Sequence, residues 1–202
     1  RYEEWLNSLV THEEICRDLF VESPFAHPSV TFRKELVLNA GGYQDHGWAE
    51  DYDLWLRLAL AGTRFAKVPE VLHYWRDRPD RLTRTADEYS FRNFRRLKIH
   101  YLRQGFLQTR HEVMVWGAGR GGKAWAADLE AAGLSIVAHI DVDPKKIGRT
   151  RRGRPVLAPD ELPSPGGPPV LVTVGVKGAR ALIRRELDAR GYVEGRDYVC
   201  VA

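Results

Sequence analysis

Three closely spaced carboxylates, Glu50, Asp51 and Asp53, carry the plainest chemical potential in this sequence. They fall in the first turn of a predicted helix, after the loop Gly41–Gly47 and Trp48, and ahead of an apolar stripe of Leu54, Leu58 and Ala61. Unpaired backbone N–H groups and the positive end of the helix dipole stabilise an ionised acid there. Two readings follow. In the structural one each acid contributes only ~0.3–1 kcal/mol through the dipole. In the chemical one a preorganised carboxylate stands beside a cleft and accepts a proton from a hydroxyl.

A second set is Gly117, Gly119 and Gly122, which match G-x-G-x-x-G. A predicted strand, His111 to Trp116, runs into them. A helix with Ala124, Ala127 and Ala131 follows and ends at Gly133. A second strand, Ile136 to Ile140, then delivers Asp141. This order matches a Rossmann-type signature: the glycines admit a diphosphate to the helix N-terminus, and the later acid accepts from a ribose hydroxyl. A nucleotide is the ligand such a module would take. The alternative leaves the glycines as tight-turn and packing residues.

The elements that must position these groups alternate between helix and strand. Residues 1–22 read as helical, with Trp5, Leu6, Leu9, Val10, Ile15, Leu19 and Phe20 at helical spacing. Ser23-Pro24 and His27-Pro28 break that pattern, and His27 reads as a structural loop residue. Ser29 to Phe32 reads as a strand, Glu35 to Asn39 as a short helix, and Arg64 to Ala66 and Val71 to Trp75 as strands. Asp87 to Leu102 reads as an amphipathic helix. Phe91, Phe94, Leu97 and Tyr101 form one face, and Arg92, Arg95, Arg96 and Arg103 the other. After a linker, Gly105 to Arg110, the strands are Pro155–Leu157, Val170–Val174 and Tyr198–Val201, with a helix over Ala179–Ala189. The pattern implies an α/β chain of two domains, 1–110 and 111–202, the second with a small parallel sheet.

Composition sets outer limits. The 202 residues are 44% hydrophobic and 29% charged, as in a globular chain able to bury a core. No apolar run approaches the ~20 residues of a membrane span. The two cysteines, Cys16 and Cys200, do not suggest a disulfide framework and fit a reducing, cytoplasmic compartment. A net charge of +4, with no helix-turn-helix, zinc or RNA-binding signature, gives no reason to expect nucleic acid. The start, Arg1-Tyr2-Glu3, has neither Met nor a signal-peptide pattern, so residue 1 is not expected to be the native start.

Several blocks in order resemble one family: His27-Pro28-Ser29-Val30-Thr31-Phe32-Arg33, Glu35 to Tyr43 ending in Gly41-Gly42-Tyr43, the Glu50-Asp51 pair, and Val68-Pro69-Glu70-Val71-Leu72. Over roughly residues 1–105 the chain resembles the acceptor-side half of family 2 glycosyltransferases, inverting enzymes of the GT-A fold. The resemblance implies that Asp51 is the general base, with Glu50 orienting the base or the acceptor. It implies a nucleotide-sugar donor, a glycan or lipid-linked acceptor, and a divalent metal, Mg or Mn, on the donor diphosphate. In the family the metal motif lies in a nucleotide-binding half that precedes these blocks. The triplets Asp51-Tyr52-Asp53 and Asp141-Val142-Asp143 therefore lack the context of a metal site, and the chain alone is expected to be inactive. Trp48 offers a wall for a sugar ring or packs in the core. Where the family often has a histidine before a proline near the donor diphosphate, this chain has Arg78, which either pairs with phosphate or lies in a solvated basic loop. The basic helix face, if not simply solvated, suits the anionic inner face of a membrane.

The second module, with its glycine turn, Ile140 to Pro144 and Val174-Gly175, resembles the nucleotide-binding portion of sugar acetyltransferases of the PglD type. Two further functions compete with the transferase. One is a nucleotide- or sugar-nucleotide-binding regulatory module. The other is a nicotinamide-dependent reductase or epimerase, weakened because none of the eight tyrosines has Lys four residues on.

Overall fold

The computed structural model describes residues 2–76 and 85–202. Arg78 lies outside the described residues. The chain divides into two compact units, Arg1–Gln104 and Gly105–Ala202. The sequence sets the division at residue 110. The structure draws the expected linker into the second unit, because Leu107 is buried there and the Arg110 guanidinium donates to the Arg196 carbonyl at 2.7 Å.

In the first unit the described helices are α1 (Tyr2–Ser8), α2 (His12–Asp18), α3 (Lys34–Asn39), α4 (Glu50–Leu60) and α5 (Phe91–Gln104). The expected single helix over 1–22 is broken by a capping box. Thr11 Oγ accepts the Glu14 N–H, and the Glu14 carboxylate accepts the N–H groups of Thr11 at 2.9 Å and Val10 at 3.0 Å. Such a cap starts a new helix and so ends the old one. Helix α3 stops where Gly41 and Gly42 both adopt positive φ, which a side-chain-bearing residue rarely does.

Helix α4 is buried almost all round, Tyr52 through Leu56 without a break, while Ala61 of the expected stripe is exposed. It packs with Leu19, Val37, Leu97 and Tyr101 into one core. Helix α5 begins at Phe91 rather than Asp87, because the Ser90 hydroxyl caps it by accepting the Asn93 N–H. Its buried residues are Asn93, Leu97, Lys98, Ile99, Tyr101 and Leu102, while Phe91 is 87% exposed. Among the described residues this unit has no strand. Ser29–Phe32, Arg64–Ala66 and Val71–Trp75 are β-prone in composition, but strand propensity is realised only where a partner ladder takes up the backbone groups. Val71, Leu72 and Trp75 stand exposed instead.

The second unit is α/β. Its strands are β1 (Glu112–Trp116), β2 (Ser135–Ile140), β3 (Thr150–Arg151), β4 (Arg154–Leu157), β5 (Val170–Val172) and β6 (Tyr198–Cys200). Its helices are α6 (Arg120–Ala131) and α7 (Ala179–Ala189). One sheet runs β3-β4-β2-β1-β5-β6. All its pairs are parallel except β3 with β4, so the sheet is mixed rather than wholly parallel. The β3–β4 hairpin turns through Arg152 and Gly153, both at positive φ as a two-residue turn requires. Of this hairpin the sequence marks only Pro155–Leu157 as a strand and assigns nothing to Thr150–Arg151. Helix α6 buries Gly122, Trp125, Ala126 and Leu129, not the face marked by Ala124, Ala127 and Ala131. Trp125 supplies far more apolar area than any of those alanines.

Candidate functional site

Helix α4 has no side-chain cap at Ala49. The first-turn donors are met partly from within, since Asp51 accepts the Tyr52 N–H at 2.7 Å. The Asp51 side chain is only 16% exposed. Burial raises its proton affinity above the ordinary value for an aspartate, outweighing the backbone hydrogen bond and the nearby His27, both of which act the other way. The dipole alone would favour the charged form; desolvation wins.

His27 belongs to this cluster. Its Nδ1 lies 4.0 Å from Asp51 Oδ2, and its Nε2 lies 2.9 Å from the Tyr43 hydroxyl. The ring stands edge-on to buried Trp55 at 6.2 Å between centroids. Adjacent Glu50 accepts the Tyr89 hydroxyl at 2.9 Å. Tyr89 and Glu22 line an open cleft of about 540 Å³ on this unit; Asp51 is not among its lining residues. The sequence gives His27 as a structural loop residue and assigns no site role to Tyr43 or Tyr89, because these groups lie 16 to 39 residues from their partners.

Asp53 differs from its neighbours and from its expected role as a first-turn acid stabilised only through the dipole. It is fully buried and accepts from Trp48 Nε1 at 2.9 Å, the Tyr101 hydroxyl at 2.6 Å and Arg57 Nε at 2.8 Å. Arg57 in turn donates to the carbonyls of Ala40 and Gly42. Trp48 is thus tied through its indole N–H into the support of the helix, its half-buried ring 5.4 Å from both His46 and His100.

In the second unit the three glycines do different work. A Cβ at Gly122 would stand 1.7 Å from the Gly117 carbonyl oxygen, and one at Gly117 2.8 Å from Thr173 Oγ. These two let α6 pack against the turn. A Cβ at Gly119 would meet nothing within 4 Å, so that position opens onto space at the N-terminus of α6. Asp141 is 8% exposed. Its carboxylate accepts the Ala118 N–H at 2.8 Å, the Asp143 N–H at 3.0 Å and the Lys146 ammonium at 3.1 Å. Burial opposes that charge, yet these donors together hold the carboxyl below its ordinary pKa. A cavity of about 320 Å³ opens beside Gly119.

Among the described residues no three His, Cys, Asp or Glu side chains gather where a metal ion would sit, and no helix is long and apolar enough to cross a membrane.

No family model matches the chain. Part of it is similar to bacterial glycosyltransferases. It is 41% identical over 63 residues to the amylovoran biosynthesis glycosyltransferase AmsE of Erwinia amylovora, covering 31% of this chain and 24% of that protein. It is 43% identical over 47 residues to the O-antigen biosynthesis glycosyltransferase WbnJ of Escherichia coli, covering 23% and 18%. It is 40% identical over 50 residues to the UDP-Gal:alpha-D-GlcNAc-diphosphoundecaprenol beta-1,3-galactosyltransferase of Escherichia coli, covering 25% and 18%. The chain spans about a quarter or less of the length of the curated relatives it matches. Among solved structures, a Rex-family repressor, RSP, aligns with a TM-score of 0.39 at 15% identity, covering 54% of this chain and 60% of its own, a likeness too slight to carry an argument. The similarity that stands is to glycosyltransferases of bacterial polysaccharide and O-antigen biosynthesis.

Proposed function

We propose that the first unit is the acceptor side of an inverting glycosyltransferase that moves a sugar from a nucleotide-sugar donor to a glycan or lipid-linked hydroxyl. Asp51 is the general base. The observation that carries this reading is the contrast within one helical turn: Asp53 is sealed by three donors, whereas Asp51 is desolvated, raised in proton affinity and without a side-chain hydrogen-bond donor among the described residues. A carboxylate in that condition accepts a proton more readily than an ordinary surface acid.

In the proposed reaction the acceptor oxygen attacks the anomeric carbon as Asp51 takes its proton. The bond from that carbon to the nucleoside diphosphate breaks, and configuration inverts. Glu50, held by Tyr89, orients the acceptor, and His27 stands behind the base. Trp48 presents the exposed part of its ring as a wall for a sugar. The donor-binding half, and the ligands of any Mg or Mn, are proposed to lie beyond these residues, so no step is assigned to a metal. The exposed Arg92, Arg96 and Arg103 of α5 suit contact with an anionic membrane surface. A cytoplasmic setting at the inner face of a membrane accords with that.

Anomeric configuration tests the reading directly. The intact polypeptide carrying these residues, given an α-linked nucleotide sugar, should yield a β-linked product by NMR; an α-linked product removes the direct-displacement mechanism. The second unit is read as a nucleotide-binding regulatory module, favoured by the open space at Gly119. A reductase or epimerase has no observation in its favour.

A further inference from the structure

The cavity beside the glycine turn has a charge pattern that the G-x-G-x-x-G motif does not call for. Arg120 and Lys123 enter it from α6, Lys146 from the segment after β2, and Arg151 and Arg152 from the β3–β4 hairpin, while no carboxylate lines it. Lys146 is engaged by Asp141 and Asp143, and Arg152 by Glu130. The side chains of Arg120, Lys123 and Arg151 have no ion-pair or hydrogen-bond partner among the described residues. Three exposed cations around one 320 Å³ space, with the N-terminus of α6 beside them, make a positive field that attracts an anion.

His139 lies in the wall of this cavity, completely buried. Burial lowers its pKa, and its ring faces the Gly117 carbonyl, so it stands there as a neutral group rather than as a further cation.

Asp141 narrows the class of ligand. In a dinucleotide fold this acid receives the ribose hydroxyls, whereas an arginine nearby accommodates a ribose phosphate. Here both carboxylate oxygens are already occupied by the turn and by Lys146. The hairpin adds Arg151 and Arg152, which suit the dianionic oxygens of a phosphate monoester.

Resting on the reading of the second unit as a nucleotide module, we propose that this cavity selects nucleotides bearing a phosphate monoester, on the ribose or at the end of a diphosphate, over those whose phosphates are all diesters. The diphosphate diester of NAD or of a sugar nucleotide offers two negative charges to three unengaged cations and a helix N-terminus. A monoester adds the missing charge.

Calorimetric titration of the 202-residue chain with NADP, UDP, NAD and UDP-glucose tests this. NADP or UDP should bind at least tenfold tighter than its diester counterpart, NAD or UDP-glucose. Preference for NADP over UDP identifies a ribose phosphate as the source; the reverse identifies a terminal phosphate. Arg151→Ala, at an exposed position the fold does not need, should reduce the favoured ligand's affinity about tenfold and leave melting unchanged. Equal binding within both pairs, or an Arg151→Ala chain with undiminished affinity, overturns the inference while leaving a nucleotide module in place. No heat from any of the four overturns both.

Discussion

The Asp53 carboxylate accepts the Arg57 Nε–H at 2.8 Å one helical turn away, and that same guanidinium reaches back to the carbonyls of Ala40 and Gly42. This pair fastens the glycine loop to α4 and so fixes where the helix begins. Asp53→Asn should therefore destabilise the first unit by about 3–5 kcal/mol, because Arg57 is left inside without its counter-charge. Urea unfolding followed by tryptophan fluorescence measures it; a loss under about 1 kcal/mol would mean that Asp53 contributes no more than an acid stabilised by the dipole alone.

Asp51 should behave in the opposite sense. Its folded-state pKa is raised by burial, so the ionised form is less favourable folded than unfolded. That penalty is complete above the folded pKa and disappears as pH falls below the ordinary value of 3.8. Asp51→Asn should thus melt at or above the wild-type temperature at pH 7, and the difference should shrink toward pH 3.5. A variant that melts well below wild type at pH 7 would make Asp51 a structural acid.

How much of this was legible in the sequence follows from which forces act locally. The glycine turn, the strand before it and helix α7 were readable because apolar runs, glycines and periodicity are local signals. The acidic turn was readable, but the division of labour within it was not. Asp53 is distinguished by Trp48, Tyr101 and Arg57, and Tyr101 arrives from 48 residues away. His27 reads as a structural loop residue for the same reason, since its partners Tyr43 and Asp51 come from a later segment. The three expected strands of the first unit rested on propensity alone, which does not form a ladder. Strand β4 is legible as Pro155–Leu157, but its partner β3 is not, because Thr150–Arg151 is only two residues long and polar.

Lys67 gives a pH signature on the alkaline side. Burial lowers its pKa to about 8, while its ammonium donates to the Leu6 carbonyl at 2.6 Å. Between pH 8 and 10.5 the unfolded chain holds the proton that the folded chain has released, so stability rises with pH across that window on this account. The difference in unfolding free energy between wild type and Lys67→Met should change over the same range. A pH-independent difference would mean that Lys67 titrates normally.

The glycines of the turn should separate by position. Gly122→Ala drives a methyl into the Gly117 carbonyl, so it should cost the second unit roughly 1–3 kcal/mol or more. Gly119→Ala meets no atom within 4 Å and has an ordinary negative φ, so it should leave the melt unchanged. Equal melting of the two variants would contradict the close approach of α6 to the turn.

The central claim is that Asp51 takes the proton from the acceptor hydroxyl. The most direct measurement is the turnover of Asp51→Asn in the intact polypeptide carrying these residues, at saturating nucleotide sugar and acceptor, with folding checked by melting temperature. Asn keeps the shape and one acceptor oxygen but has no useful proton affinity. A fall in kcat on the order of 10²–10⁴ with an unchanged or raised melting temperature is the predicted result. A folded Asp51→Asn protein that turns over at the wild-type rate contradicts the claim.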